Sequence, residues 1–256
     1  MPKLQPFLVD THAHLCGESF DHDRQVVIKR ALEKGIGAII IVAETLEDAQ
    51  RNLALAAEYP CLQAAAGLYP EYAEVSEAGR MIDFIRKHSE LICAVGEVGL
   101  DFWIAQEEPA REMQRFVFRQ FIDLARELDL PLNVHSRSAG RQAVALLLAS
   151  GALKVQMHAF DGRAAAALPA VEAGFFFSVP PSVVRSRQKQ KLVKQLPLSC
   201  LLVESDSPVL GPDPAQRNEP VNVLVALQAI ADIKQIARQE VYEAVRENTR
   251  RLYGEM

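Results

Sequence analysis

The feature that most constrains this chain is a regular alternation: eight short apolar runs rich in β-formers, at 7–10, 38–42, 62–66, 92–96, 132–134, 154–157, 174–177 and 201–203, separated by longer segments. Several of these, at 23–34, 45–58, 108–128 and 140–147, carry apolar residues at helical spacing among Ala, Leu, Arg and Glu. Strand followed by helix, repeated, is the pattern of βα units and a parallel sheet. Glycines at 35, 151 and 174 stand where helices should stop, and Pro131 precedes a strand, where a missing N–H costs little. Eight such units in 256 residues suit a (β/α)8 TIM barrel of the metal-dependent hydrolase type, built as one domain over 1–256. The Pro-rich stretch 208–220 then reads as a long loop after the eighth strand.

Composition narrows the setting. The longest apolar runs, such as 36–43, break off too early to cross a bilayer, and Met1-Pro2-Lys3-Leu4 leads into no signal-peptide core, so a cytoplasmic protein is expected. Cys16, Cys61, Cys93 and Cys200 lie far apart without a CxxC pair, a pattern expected of buried free thiols rather than of a disulfide framework or thiolate site. A net charge of −5 argues against broad capture of duplex nucleic acid, so any phosphate binding must be local.

Of the six histidines, four follow expected strands directly: His12 and His14 after the first, His135 after the fifth and His158 after the sixth. Glu97 follows the fourth and Asp206 the eighth. The carboxyl ends of barrel strands converge on one face, so these six side chains can meet there. In His12-Ala13-His14 the strand alternation sends both imidazoles to one side, where a single cation could accept both. Any one strand-borne histidine could be an ordinary core residue. Four at strand ends with two acids that burial would penalise point instead to a metal site. Mixed nitrogen and oxygen ligands suit Zn²⁺, Mn²⁺ or Mg²⁺, and six ligands suffice for two divalent ions with Glu97 as the bridge. Two such ions would lower the pKa of a shared water and neutralise a phosphoryl oxygen. Asp206 could hold that water and accept its proton, which makes Asp206 and Glu97 the catalytic pair.

Around this cluster, Glu204 is read as an orienter of a ligand. Arg137, Arg163 and Arg217 lie in loops after strands five, six and eight, where a guanidinium could fork onto phosphate; Arg137 and Arg163 are taken as substrate contacts. Tyr69 and Trp103 could stack on a base, and Tyr69 joins the substrate-binding set. The run 185–191 is a basic patch, by default a solvated helical face. His22 and His88 are read as solvated and given no role.

These residues resemble the TatD family of metal-dependent deoxyribonucleases. The resemblance is carried by Asp10-Thr11-His12-Ala13-His14-Leu15, Gly96-Glu97-Val98-Gly99-Leu100-Asp101, Asn133-Val134-His135-Ser136-Arg137, His158-Ala159-Phe160-Asp161-Gly162 and Glu204-Ser205-Asp206-Ser207-Pro208, in order along nearly the whole chain. Longer stretches at 135–141, 176–196 and 217–220 resemble the branch of TatD domain-containing protein 3. The resemblance implies two or three divalent cations and hydrolysis of phosphodiester bonds in DNA, commonly as an exonuclease on single strands. It also implies one ion on His12, His14, Glu97 and Asp206, and a second on Glu97, His135 and His158. One departure stands out: where the family has Gly-x-His-Pro after strand three, this chain has Gly67-Leu68-Tyr69-Pro70, which bears on substrate choice and leaving-group protonation. The partner expected is thus DNA, single-stranded, with the protein as a monomer. The rival enzyme is a binuclear amidohydrolase or lactonase acting on a small carbonyl substrate, disfavoured because the bridging position holds Glu97. The non-enzymatic rival is a metal-stabilised barrel that only binds.

Overall fold

In a computed structural model that describes residues 7–256, eight parallel strands lie in sequence order in one sheet. They are β1 (Leu8–Ala13), β2 (Ile36–Ile41), β3 (Leu62–Ala66), β4 (Ala94–Gly99), β5 (Leu132–His135), β6 (Val155–Met157), β7 (Phe176–Val179) and β8 (Leu201–Val203). Helices separate them: α1 (Arg24–Glu33), α2 (Leu46–Glu58), α3 (Val75–Lys87), α4 (Glu108–Glu127), α5 (Gly140–Ala149), α6 (Ala164–Glu172) and α7 (Arg187–Gln195). The chain continues into α8 (Val223–Lys234) and α9 (Arg238–Tyr253). The result is a nearly closed (β/α)8 TIM barrel in which the third and eighth strands fall where expected and the others are displaced by a few residues at one or both ends. No helix among the described residues is long and apolar enough to cross a membrane. Met1 to Leu4 lie outside the described residues.

The displacements have local causes. Gly174 adopts φ 85 just past α6, so β7 cannot begin until Phe176. Thr45 caps α2 through a reciprocal pair, the Asp48 amide to Thr45 Oγ1 at 3.2 Å and the Thr45 amide to Asp48 Oδ2 at 3.1 Å, so the helix proper starts at Leu46. β2 shows why the sheet is buried on both faces: Ile36, Ile39 and Ile41 pack outward among the helices, whereas Ala38, Ile40 and Val42 pack inside the barrel. Fully burying each such isoleucine contributes roughly 1.5–3 kcal/mol.

The barrel closes between its first and last strands near the carboxyl ends. The Asp206 amide donates to His12 O at 2.8 Å, the His14 amide to Ser207 O at 2.8 Å, and Thr11 Oγ1 to Val203 O at 3.0 Å. Asp10, fully buried, accepts the Ser205 amide on Oδ1 at 2.7 Å. Burial pushes its carboxyl up to about 8, against the Ser205 and His12 hydrogen bonds that pull it down.

At the end of β3, Gly67 passes so close to β4 that an added Cβ would lie 2.6 Å from both Glu97 O and Gly96 C. Gly79, inside α3, faces open space, with nothing within 4 Å of the same added atom. One chemical change should therefore act in opposite directions. Gly67→Ala is expected to destabilise by about 1–3 kcal/mol through overpacking against backbone, and Gly79→Ala to stabilise by roughly 0.5–1 kcal/mol. Urea denaturation of both variants checks the pair; equal shifts would contradict the close approach at Gly67.

Candidate metal centre

The strand ends bring His12, His14, Glu97, His135, His158 and Asp206 into one cluster, and Glu97 divides it. Its Oε2 lies 3.7 Å from His12 Nε2 and 3.6 Å from His14 Nε2, while its Oε1 lies 2.7 Å from His135 Nδ1 and 3.8 Å from His158 Nε2. Asp206 spans in parallel, with Oδ1 at 3.6 Å and 3.5 Å from His12 and His14 Nε2, and Oδ2 at 3.9 Å from His158 Nε2. The two imidazoles of the HxH pair meet at Nε2 atoms 3.2 Å apart.

These separations are those of donors around a common centre. Ligands about 2.1 Å from a tetrahedral ion stand roughly 3.4 Å from one another, and the group of His12, His14, Glu97 and Asp206 shows 3.2–3.7 Å. The donor atoms of His12, His14 and Glu97 lie within 4.8 Å of one another, as do those of Glu97, His135 and His158. Charge agrees with geometry. Glu97, Asp101, Glu204 and Asp206 are buried, and among the described residues none has a Lys or Arg ion-pair partner, only imidazoles. Buried carboxylates without cations call for positive charge from elsewhere, and divalent ions fit the donor set.

Each imidazole is turned by a second partner. His12 Nδ1 sits 2.8 Å from Asn133 Oδ1, and Asn133 Nδ2 donates to Thr11 O at 3.0 Å, so the amide oxygen must face the ring and His12 carries its proton on Nδ1. His158 Nδ1 sits 2.9 Å from Glu204 Oε2, which again frees Nε2. His135 is turned the other way: Nε2 donates to Asp101 Oδ2 at 3.0 Å, so Nδ1 faces Glu97. His12 and His158 stack with ring centroids 3.7 Å apart. Asp206 holds φ 55, the left-handed region a non-glycine residue enters only when tied. Its ties are the bond to His12 O and the Val209 amide, which donates to Asp206 O at 2.8 Å.

The same surroundings set the charges. Burial, followed by the neighbouring His158, pushes His12 down to about 4. Burial would lower His14 too, but the Asp206 hydrogen bond and Glu97 outweigh it and lift His14 to about 9. His135 reaches about 9 in the same way, burial being overcome by Glu97 and Asp101. Burial raises Glu97, yet His135, His12 and His158 hold it well below the usual carboxylate range.

The substrate-side residues scatter more. A cavity of about 440 Å³ opens over the cluster, lined in part by Glu44, Tyr69, Arg137, Asp161, Lys189 and Val209. Tyr69 faces it, but its hydroxyl donates to Asp101 Oδ2 at 2.9 Å, so the phenol supports the carboxylate that orients His135. The guanidinium carbon of Arg137 lies over Trp103, 3.7 Å from the ring centroid. Arg163 is exposed at the cap of α6 and does not line the cavity. Arg217 forks onto Asp23 at 2.6 and 2.8 Å. Lys189, from the basic run, turns inward and donates to Ala159 O at 2.8 Å. Sequence reasoning passed over Asn133, Asp101, Glu44 and Lys189 as individual site groups. The first two carried a signal: a polar residue within or beside an apolar strand must be paired when buried.

Residues 9–254 match the family described as TatD related DNase. The chain is 42% identical to "Deoxyribonuclease TATDN3" of Homo sapiens, covering 97% of this chain and 95% of that protein. It is 33% identical to an "Uncharacterized metal-dependent hydrolase", YabD, of Bacillus subtilis, covering 96% and 98%. Among solved structures it resembles YjjV, a TatD homologue of Escherichia coli, with a TM-score of 0.89 at 27% identity over 97% of this chain and 98% of that one.

Protonation in the metal-free cluster makes a direct expectation. His14 and His135 sit at about 9 against an ordinary 6.5, so their stabilising contribution is fully present below 6.5 and is lost as pH rises through 9. Ion binding near neutral pH should displace those protons. Calorimetric titration of chelated protein with Zn²⁺ in two buffers of different ionisation heat should give different apparent enthalpies; equal enthalpies would contradict the raised values.

Proposed function

Because the chain belongs to the TatD family of metal-dependent deoxyribonucleases, we propose that it is a single-domain, monomeric nuclease that removes nucleotides from single-stranded DNA with two divalent ions. The observation that carries this reading is Glu97, whose two carboxylate oxygens face the His12/His14 and His135/His158 groups separately. One ion belongs with His12, His14, Glu97 and Asp206, the other with Glu97, His135 and His158. Zn²⁺, Mg²⁺ and Mn²⁺ are the candidates. Bound there, the ions would supply an acidified water and neutralise charge on the attacked phosphoryl group.

The chain's own residues do the remainder. Asp206, placed between the two groups with its carboxyl held below the ordinary range by His158, His14 and His12 against the effect of burial, accepts the proton of the attacking water. Arg137, braced on Trp103, holds the phosphate next to the scissile bond, and Lys189, which lines the same cavity, meets the substrate there too. Tyr69 and Asp101 keep His135 in the tautomer that presents Nδ1. Glu204 does the same for His158. A cavity of about 440 Å³ suits a strand end with its terminal nucleotide better than a continuous duplex. The cysteines are free, Cys16 and Cys200 buried and Cys61 and Cys93 partly so, which fits work in the reducing cytoplasm.

The test is cleavage of 3′-labelled and 5′-labelled single-stranded oligonucleotides after chelation and re-addition of each metal. Metal-dependent shortening from one end is expected, slowed about 10²- to 10⁴-fold in Asp206→Asn and abolished with loss of ion binding in Glu97→Ala. Undiminished cleavage by Asp206→Asn would remove the role given to that residue. Ion binding without cleavage of any DNA would refute the nuclease reading.

A further inference from the structure

The centre is supported from the far end of the barrel. Tyr253, the last residue of α9, packs at the barrel floor against the interior cluster that includes Val9, Ala38 and Ile40. The residue is half-buried, and its hydroxyl reaches inward, 2.6 Å from Gln156 Oε1 and 3.4 Å from Asn133 Nδ2. Burial raises its pKa well above the ordinary phenol value, so the hydroxyl keeps its proton.

Counting protons fixes the direction of every bond from there upward. An amide oxygen cannot donate, so the phenol donates to Gln156 Oε1. Gln156 Nε2 then points at Ser178 Oγ, 2.9 Å away, and at Thr11 O, 3.3 Å away. Ser178 has one hydroxyl proton and directs it to Glu204 Oε2 at 2.5 Å, the oxygen that also accepts His158 Nδ1. On the other side the phenol oxygen accepts from Asn133 Nδ2 and, together with Thr11 O at 3.0 Å, keeps Asn133 Oδ1 turned towards His12 Nδ1. Two branches leave one hydroxyl and end on two imidazoles. Without that hydroxyl Gln156 Oε1 loses its donor, and the amide that feeds Ser178 Oγ is held the right way round only by Thr11 O, 3.3 Å from Nε2, so the supply of the Ser178 proton to Glu204 is weakened.

We propose that Tyr253 is a positioning residue of the metal centre, fixing through both branches the tautomers in which His12 and His158 present Nε2 to the ions. The inference rests on the reading of these histidines as ligands. A carboxylate or amide behind a ligating imidazole typically governs metal affinity by 10- to 100-fold; a phenol one bond further out and shared by two such supports is expected to move it about ten-fold.

The experiment titrates chelated protein with Co²⁺, following heat and visible absorption, for the parent, Tyr253→Phe, Ser178→Ala and the double variant. Tyr253→Phe should weaken both equivalents of Co²⁺ about ten-fold and alter the absorption bands, while remaining folded by circular dichroism. Ser178→Ala, which leaves the floor untouched, should weaken only the His158 equivalent. The double variant should bind at that equivalent no worse than the weaker single, because both changes cut one chain. Parent-like binding by Tyr253→Phe overturns the inference, as do losses that multiply in the double variant. If Tyr253→Phe does not fold, parent-like binding by Ser178→Ala overturns the relay by itself. A parent that binds no Co²⁺ refutes the metal reading instead, so the two failures are distinct.

Discussion

The hydrogen bonds that close the barrel are made by the backbones of the residues whose side chains form the cluster. Asp206 donates its amide to His12 O, and His14 donates to Ser207 O. Closure and site assembly are therefore one event: the first and last strands cannot separate without pulling Asp206 away from His12 and His14. Asp10 strengthens the same seam by accepting the Ser205 amide. Glu97 plays the corresponding part on the opposite side, since its amide donates to Ala43 O at 3.0 Å and ties β4 to the end of β2. Its carboxylate is thus aimed from a strand locked to its neighbours rather than from a free loop.

Below this rim lies a layer that most barrels of this size would fill with apolar side chains. Here Thr11, Asn133, Gln156, Ser178 and Glu204 cross the interior, each buried and each hydrogen-bonded. Beneath them the packing is apolar again, with Val9, Ala38, Ile40, Ala65 and Ala94. A buried polar layer is costly if half satisfied and rigid if complete. It acts as the mounting for the imidazoles above, and its completeness depends on the phenol of α9. The rim, by contrast, is held by forked and stacked arginines: Arg217 on Asp23 and over Phe20, Arg137 over Trp103.

How much of this could be read from the amino-acid sequence follows from the range of each interaction. The strands and the approximate helix limits were legible, because alternation and capping are local; Thr45 and Asp48 announce α2 within four residues. The six clustered side chains were legible because a barrel turns eight strand ends into neighbours whatever lies between them. The supports were not. Gln156 and Thr11 are 145 residues apart, and Asn133 and Tyr253 120, so only register in space brings them together. Tyr69 was noticed as an unusual residue, but its engagement with Asp101, 32 residues away, depends on how β3 and β4 align. Arg217 showed the limit of reading charge alone: the guanidinium thought free for phosphate already holds a carboxylate.

The seam between first and last strands also has a consequence in time. His12 and His14 leave the ribosome early, whereas Asp206, which completes their surroundings, follows about 190 residues later. At synthesis rates of about 5–20 residues per second that interval is roughly 10–40 s. Throughout it β1 has no last strand to pair with, and the HxH pair has neither Asp206 nor the closing hydrogen bonds. The group of His12, His14, Glu97 and Asp206 can therefore be complete only once the last strand has been made and paired. Until then a nascent chain holds the HxH pair without the carboxylate that stands 3.5 Å from His14 Nε2 in the finished barrel.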